Sequence, residues 1–177
     1  AISTGGPVAL SKVIPALPAT LRSAIVVVQH MPAAFTATLA ERLNKESKVH
    51  VEEATDGARL FPGTVYIAPG GKHLEVDSAG VLRLVDGPLV HGCRPAADVT
   101  MKSAAEVLGR RAIGLVMTGM GKDGAAGALA IKRAGGKAYA QDKDSSVIYG
   151  MPKAAVDLGA VDEILPLSEI ATKLQSF

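Results

Sequence analysis

The chain has 177 residues, 48% hydrophobic and 20% charged, a length and balance that suit one globular domain able to bury a full core. Lys+Arg 19 against Asp+Glu 17 leaves a net charge of +2, and aromatics make up only 3%, so the basic, aromatic-rich face of a nucleic-acid binder is missing. No apolar run approaches a membrane span, no signal peptide is visible, and the single Cys93 excludes an internal disulfide, so a cytoplasmic protein is expected.

Ala1 and Ile2 run directly into Ser3-Thr4-Gly5-Gly6-Pro7. With so short a lead, we expect a chain cut from a longer protein after most of a first strand. Gly5 and Gly6 allow a tight turn and Pro7 suits a first helical position, so this is a strand-turn-helix corner. Val8 to Leu17 has helical spacing, with Pro15 expected to end or kink it. Ala24 to Gln29 contains Ile25 to Val28, β-branched and apolar on both faces like a central parallel strand, and leads into His30. Ala33 to Leu43 reads as a helix. Strand candidates follow at Val49 to Glu53 and Val65 to Ala68, with Asp56-Gly57 and Pro62-Gly63 turns between them. His73 to Val76 and Val81 to Val85, linked by Asp77-Ser78-Ala79-Gly80, form an antiparallel hairpin.

A loop over 87–98 precedes a helix from Val99 to Leu108. Residues 112–134 then hold an apolar run, a glycine-rich corner, Gly119-Met120-Gly121-Lys122-Asp123-Gly124, and an alanine-rich helix. Lys137 to Gln141 reads as a strand, Pro152 to Leu158 as a helix, Glu163 to Leu165 as a strand, and a last helix starts at Ser168. Alternating strand and helix predicts an α/β fold: one domain over 1–177, with a doubly wound, mostly parallel sheet, flanking helices and an antiparallel hairpin.

In open α/β sheets, sites form beyond the carboxyl ends of the strands, where distant loops converge. Ser3, His30 and Asp123 all fall in such loops. A serine hydroxyl needs an imidazole to take its proton, and the imidazole needs a carboxylate to fix its tautomer and stabilise its charge. Ala1-x-Ser3-x-Gly5 is also close to the G-x-S-x-G nucleophile elbow, with Ala for the first Gly. Singly, Ser3 and Asp123 read as helix caps and His30 as an ordinary strand-end residue; their joint placement points to catalysis.

The same corner carries a rival. Gly119 to Gly124 matches G-x-G-x-x-G between a strand and a helix, and Asp142 follows about 20 residues on, which together make the fingerprint of a dinucleotide-binding oxidoreductase. Against it, Asp123 would set a carboxylate beside a pyrophosphate, and Ser3 and His30 would be idle. An α/β-hydrolase is disfavoured because no histidine follows His91. His91-Gly92-Cys93 offers two ligand types without a second pair, more in keeping with a loop than a metal or thiol site. His50 and His73 read as surface or strand residues, and Lys122 as a solvated surface residue.

At these residues the sequence resembles the catalytic domain of the bacterial chemotaxis protein-glutamate methylesterases. The resemblance spans essentially the whole chain. It is carried by Ser-Thr-Gly-Gly-Pro at 3–7, Gln-His-Met-Pro at 29–32 with Phe35-Thr36, Tyr-Ile-Ala-Pro-Gly at 66–70, Arg94-Pro95, Thr-Gly-Met-Gly-Lys-Asp-Gly at 118–124 and Tyr-Gly-Met-Pro at 149–152. It implies Ser3 as nucleophile, His30 as base and Asp123 as orienting acid. It also implies methyl-esterified glutamates on chemoreceptor cytoplasmic helices as substrate, deamidation of receptor glutamines as a second activity, and a partner receiver domain with its linker, neither of which is in this chain. No metal or organic cofactor is required. For the developing oxyanion, the backbone N–H groups of Thr4 and of Met120 are the candidate donors, the latter supported by the resemblance. Arg94 could reach the rim of the site to hold an acidic receptor surface, or could simply brace its loop; the sequence favours neither.

Overall fold

The computed structural model describes residues 1–177. In chain order the elements are α1 (Gly6–Val13), β1 (Ile25–Val27), α2 (Ala33–Glu46), β2 (His50–Glu53), β3 (Thr64–Ile67), β4 (His73–Val76), β5 (Leu82–Val85), α3 (Ala97–Leu108), β6 (Ile113–Val116), α4 (Ala125–Arg133), β7 (Lys137–Gln141), α5 (Gly150–Asp157), β8 (Glu163–Leu165) and α6 (Leu167–Gln175). Parallel strands pair in the orders β1-β3-β2 and β6-β7-β8, and β4 pairs antiparallel with β5.

The first three residues join the two parallel groups. On one side, Ile2 N–H donates to the Val28 carbonyl at 3.0 Å and His30 N–H to the Ile2 carbonyl at 3.1 Å. On the other, Met117 N–H donates to the Ala1 carbonyl at 2.8 Å and Ser3 N–H to that of Thr118 at 2.9 Å. Residues 1–3 therefore act as a short strand between β1 and β6. From this seam the chain builds β1, β2 and β3 on one side and β6, β7 and β8 on the other. The strand order reverses at Ser3, the position at which open α/β sheets open a crevice.

Successive strand residues point to opposite faces, and the core divides accordingly. Val27, Val65, Ile67 and Tyr139 pack with Leu10, Leu43 and Ile170, from α1, α2 and α6. Val28, Tyr66, Val116 and Ala138 pack with Met101, Ile131 and Met151, from α3, α4 and α5. Burial of side chains such as Leu43, with no exposed surface, contributes about 1.5–3 kcal/mol each. The hairpin leans on α3 through Thr100 Oγ1, which donates to the Leu74 carbonyl at 2.6 Å.

Several boundaries differ from the sequence reading. α1 starts at Gly6 and stops at Val13, ahead of Pro15. α3 starts at Ala97, two residues before the expected Val99, because a distant carboxylate accepts its first amides. His73 is a strand residue but no surface one: it is 3% exposed, its Nε2 lies 2.9 Å from the Pro88 carbonyl and its Nδ1 accepts the Ala96 N–H at 3.2 Å, which pins the loop before α3. No helix is long and apolar enough to cross a membrane.

Candidate active site

Ser3 and His30 are brought side by side by the seam, where Ile2 is in parallel register with Gln29. Neighbouring strands lie about 4.8 Å apart, so the next residue of each, Ser3 and His30, leaves the sheet at the same edge. Gln29 secures the pair. Its buried amide Nε2 donates to the Ser3 carbonyl at 3.1 Å and to the His30 carbonyl at 3.0 Å. After Ser3 the chain turns through Gly5, whose φ of 82° is left-handed and whose Cβ position would lie 2.6 Å from Val147 Cγ2, so glycine fits the turn on both counts. Thr118 Oγ1 donates to the Thr4 carbonyl at 2.9 Å and holds this turn against the glycine-rich corner.

Asp123 reaches His30 across the crevice. Asp123 Oδ2 lies 2.6 Å from His30 Nε2, and the carboxylate also accepts the N–H of Ala97 at 2.7 Å and of Asp98 at 2.9 Å, the first amides of α3. The helix thus supplies two donors and the positive end of its dipole to a carboxylate that is 2% exposed. Burial alone pushes the Asp123 carboxyl up, but the hydrogen bonds from His30, Asp98 and Ala97 and the His30 charge together outweigh it and hold the group below its ordinary value of 3.8.

The other imidazole nitrogen, Nδ1, lies 3.7 Å from Cys93 Sγ. Ser3 Oγ makes no hydrogen bond to His30 in this structure, so the register aligns the two residues while their side chains stay unpaired. Burial, and then the Asp123 charge, push the Cys93 thiol up. The candidate oxyanion donors flank Ser3: Gly119 approaches so closely that its Cβ position would lie 2.8 Å from Ser3 Cβ, and Thr4 and Met120 are the residues next along the two turns. Neither Thr4 N–H nor Met120 N–H has a backbone acceptor. Arg94 Nη1 donates to the Gly87 carbonyl at 2.6 Å, tying the side chain to its own loop, while the Arg94 main-chain carbonyl accepts the Gly71 N–H at 3.0 Å.

Sequence reasoning missed Asp98, and weighed His91 only as part of a metal or thiol site before reading it as a loop residue. The Asp98 carboxylate accepts Gly124 N–H at 3.0 Å and Gly127 N–H at 2.7 Å, and its other oxygen pairs with His91 Nε2 at 2.7 Å. Ligating atoms of His91, Asp98 and Asp123 lie within 4.8 Å of one another, each already engaged with a protein partner. Gln29 was also missed, although it stands next to His30; an amide that bonds two carbonyls leaves no local sequence signal.

A family model described as CheB methylesterase matches residues 1–174. The chain belongs to the CheB methylesterase family. Its fold agrees with that of the Thermotoga maritima CheB methylesterase catalytic domain, with a TM-score of 0.96 and 43% identity over 99% of this chain and 94% of that one. A Pyrococcus abyssi protein named protein-glutamate methylesterase/protein-glutamine glutaminase is 50% identical over 96% of this chain and 47% of its own length. A Vibrio cholerae relative of the same name, numbered 1, is 47% identical over 97% of this chain and 46% of its own. The chain thus spans about half the length of the curated relatives it matches.

The dinucleotide alternative gains no support from the family and is corrected by the geometry. A pyrophosphate would need the free amides at the start of α4, and Asp98 Oδ1 already accepts those of Gly124 and Gly127. Asp142, the expected ribose partner, accepts the Ser145 N–H at 3.0 Å within its own turn.

Proposed function

We propose that this chain is a serine hydrolase that removes methyl groups from glutamate methyl esters on chemoreceptor cytoplasmic helices and deamidates receptor glutamines to glutamate. Ser3 Oγ attacks the side-chain carbonyl while His30 Nδ1 accepts its proton. His30 then gives the proton to the methoxy oxygen, which departs as methanol, or in the glutamine reaction to the amide nitrogen, which departs as ammonia. Water, deprotonated by His30, hydrolyses the acyl-enzyme and regenerates Ser3. Asp123 fixes the imidazole with Nε2 protonated and stabilises its charged form. Thr4 and Met120 N–H groups receive the oxyanion. In the longer protein, a receiver domain is the regulatory partner, and the reaction takes place in the cytoplasm.

The observation that carries this reading is the 2.6 Å pairing of His30 Nε2 with a carboxylate fixed by two helix amides, which leaves Nδ1 as the basic nitrogen. One feature favours a second reading: Cys93 Sγ, not Ser3 Oγ, is the group within reach of Nδ1. A nucleophilic thiol needs a lowered pKa, whereas that of Cys93 is raised, which favours the serine. Methanol release from a methylated receptor fragment separates the two. Ser3→Ala should reduce it at least a thousandfold and Cys93→Ala by less than about threefold. The reverse pattern would make Cys93 the nucleophile, and no release by the parent chain would dismiss both.

A further inference from the structure

The reaction above employs Asp123 and leaves a second buried carboxylate, Asp98, at 2% exposure, without a role. The two are reciprocal. Asp123 stands just before α4 and accepts the free amides of α3; Asp98 stands in the first turn of α3 and accepts Gly124 and Gly127 N–H at the start of α4. Each helix thereby holds the carboxylate carried by the other, and the Asp98 N–H itself donates to Asp123 Oδ1. Gly127 comes close to α3 at this point: its Cβ position would lie 2.5 Å from Met101 Cβ and 3.3 Å from Asp98 Cα.

The outward oxygen of Asp98 is held by His91, whose backbone has a φ of 53°, the one non-glycine residue with a positive φ. A histidine held in the left-handed region points to a constraint, and the 2.7 Å pairing with Asp98 is what it secures. We infer that Asp98, oriented by His91, is a positioning residue for ester hydrolysis: it clamps the Gly124 turn so that Asp123 keeps one oxygen on His30, and its charge supports the imidazolium. This inference rests on the Ser3, His30 and Asp123 reading. Asp123 before α4 and Cys93 on the loop before α3 face His30 directly; Asp98 in α3 meets Asp123 through its N–H, and His91 meets Asp98.

A plain cap makes a different forecast. Asp98→Asn keeps an oxygen for the two α4 amides but removes the charge; His91→Asn removes the imidazole and retains a residue that tolerates a positive φ. With a small generic ester, Asp98→Asn should lower kcat about tenfold to a hundredfold with KM within twofold, and should move the rising limb of the pH–rate profile to lower pH by roughly half a unit or more. His91→Asn should lower kcat several-fold. Both should shift or broaden the downfield imidazole proton resonance that His30→Ala abolishes. Parent-like kcat, pH limb and resonance in Asp98→Asn would overturn the inference. If that variant does not fold, the same parent-like result in His91→Asn overturns it. Absence of turnover in the parent chain would count against the proposed function, and the proton resonance would then decide the positioning role alone.

Discussion

At Asp123 two demands meet in one side chain, because the carboxylate both anchors the start of α3 and pairs with His30. Asp123→Asn separates them. The amide keeps an oxygen for the α3 N–H groups but loses the charge and can present the wrong partner to Nε2, so kcat should fall roughly 10³–10⁴-fold with a much smaller loss of stability. The pH dependence follows from the direction of its shift. A carboxyl whose folded pKa lies below its unfolded value contributes stability that is fully present above the unfolded value and is lost as pH falls through the folded one. Urea unfolding at a series of pH values should show the parent losing stability below about pH 4, and Asp123→Asn losing less over the same interval. Equal slopes in the two proteins would mean that the carboxylate is not held as described.

Among the elements, the turn after β6 is constrained directly against the nucleophile. A Cβ on Gly119 would lie 2.3 Å from Met151 Sδ and 2.8 Å from Ser3 Cβ. Met151 can bend away at small cost, but the Ser3 Cβ moves only with its backbone, so Gly119→Ala should displace the nucleophile. We expect a kcat loss of tenfold or more beside a stability loss of about 1–3 kcal/mol, read by ester turnover and thermal melting; full turnover would show that the turn has slack. The sequence made this element legible, because an apolar run, a glycine corner and an alanine-rich stretch are local signals. The hairpin was legible for the same reason, but its register was not: a four-residue link would set Val76 opposite Val81, whereas Val76 faces Leu82 and His73 faces Val85, because Val81 belongs to the turn, its N–H donating to Asp77 Oδ1. The starts of α3 and α4 were less legible. Their caps come from carboxylates 25 to 29 residues away rather than from the preceding residue, and only the packing of the two helices reveals them. Asp98 accordingly read as the end of a loop.

For the whole molecule, the decisive feature is that residues 1–3 lie between β1 and β6 and draw together loops 27 and 93 positions apart, counted from Ser3 to His30 and from His30 to Asp123. The doubly wound order could be anticipated from alternation, and so could the convergence of strand-end loops. The final side-chain pairing could not, because the choice between Ser3 and Cys93 as partner of His30 Nδ1 depends on a loop conformation with no periodicity to read. The identity of the nucleophile turns on that choice. The measurement that tests it most directly is mass-spectrometric mapping of a fluorophosphonate adduct on the folded chain. One adduct is expected, on the peptide containing Ser3, retained in Cys93→Ala and abolished in His30→Ala; an adduct on Cys93, or labelling of Ser3 that persists without His30, would rule out Ser3 as the His30-activated nucleophile.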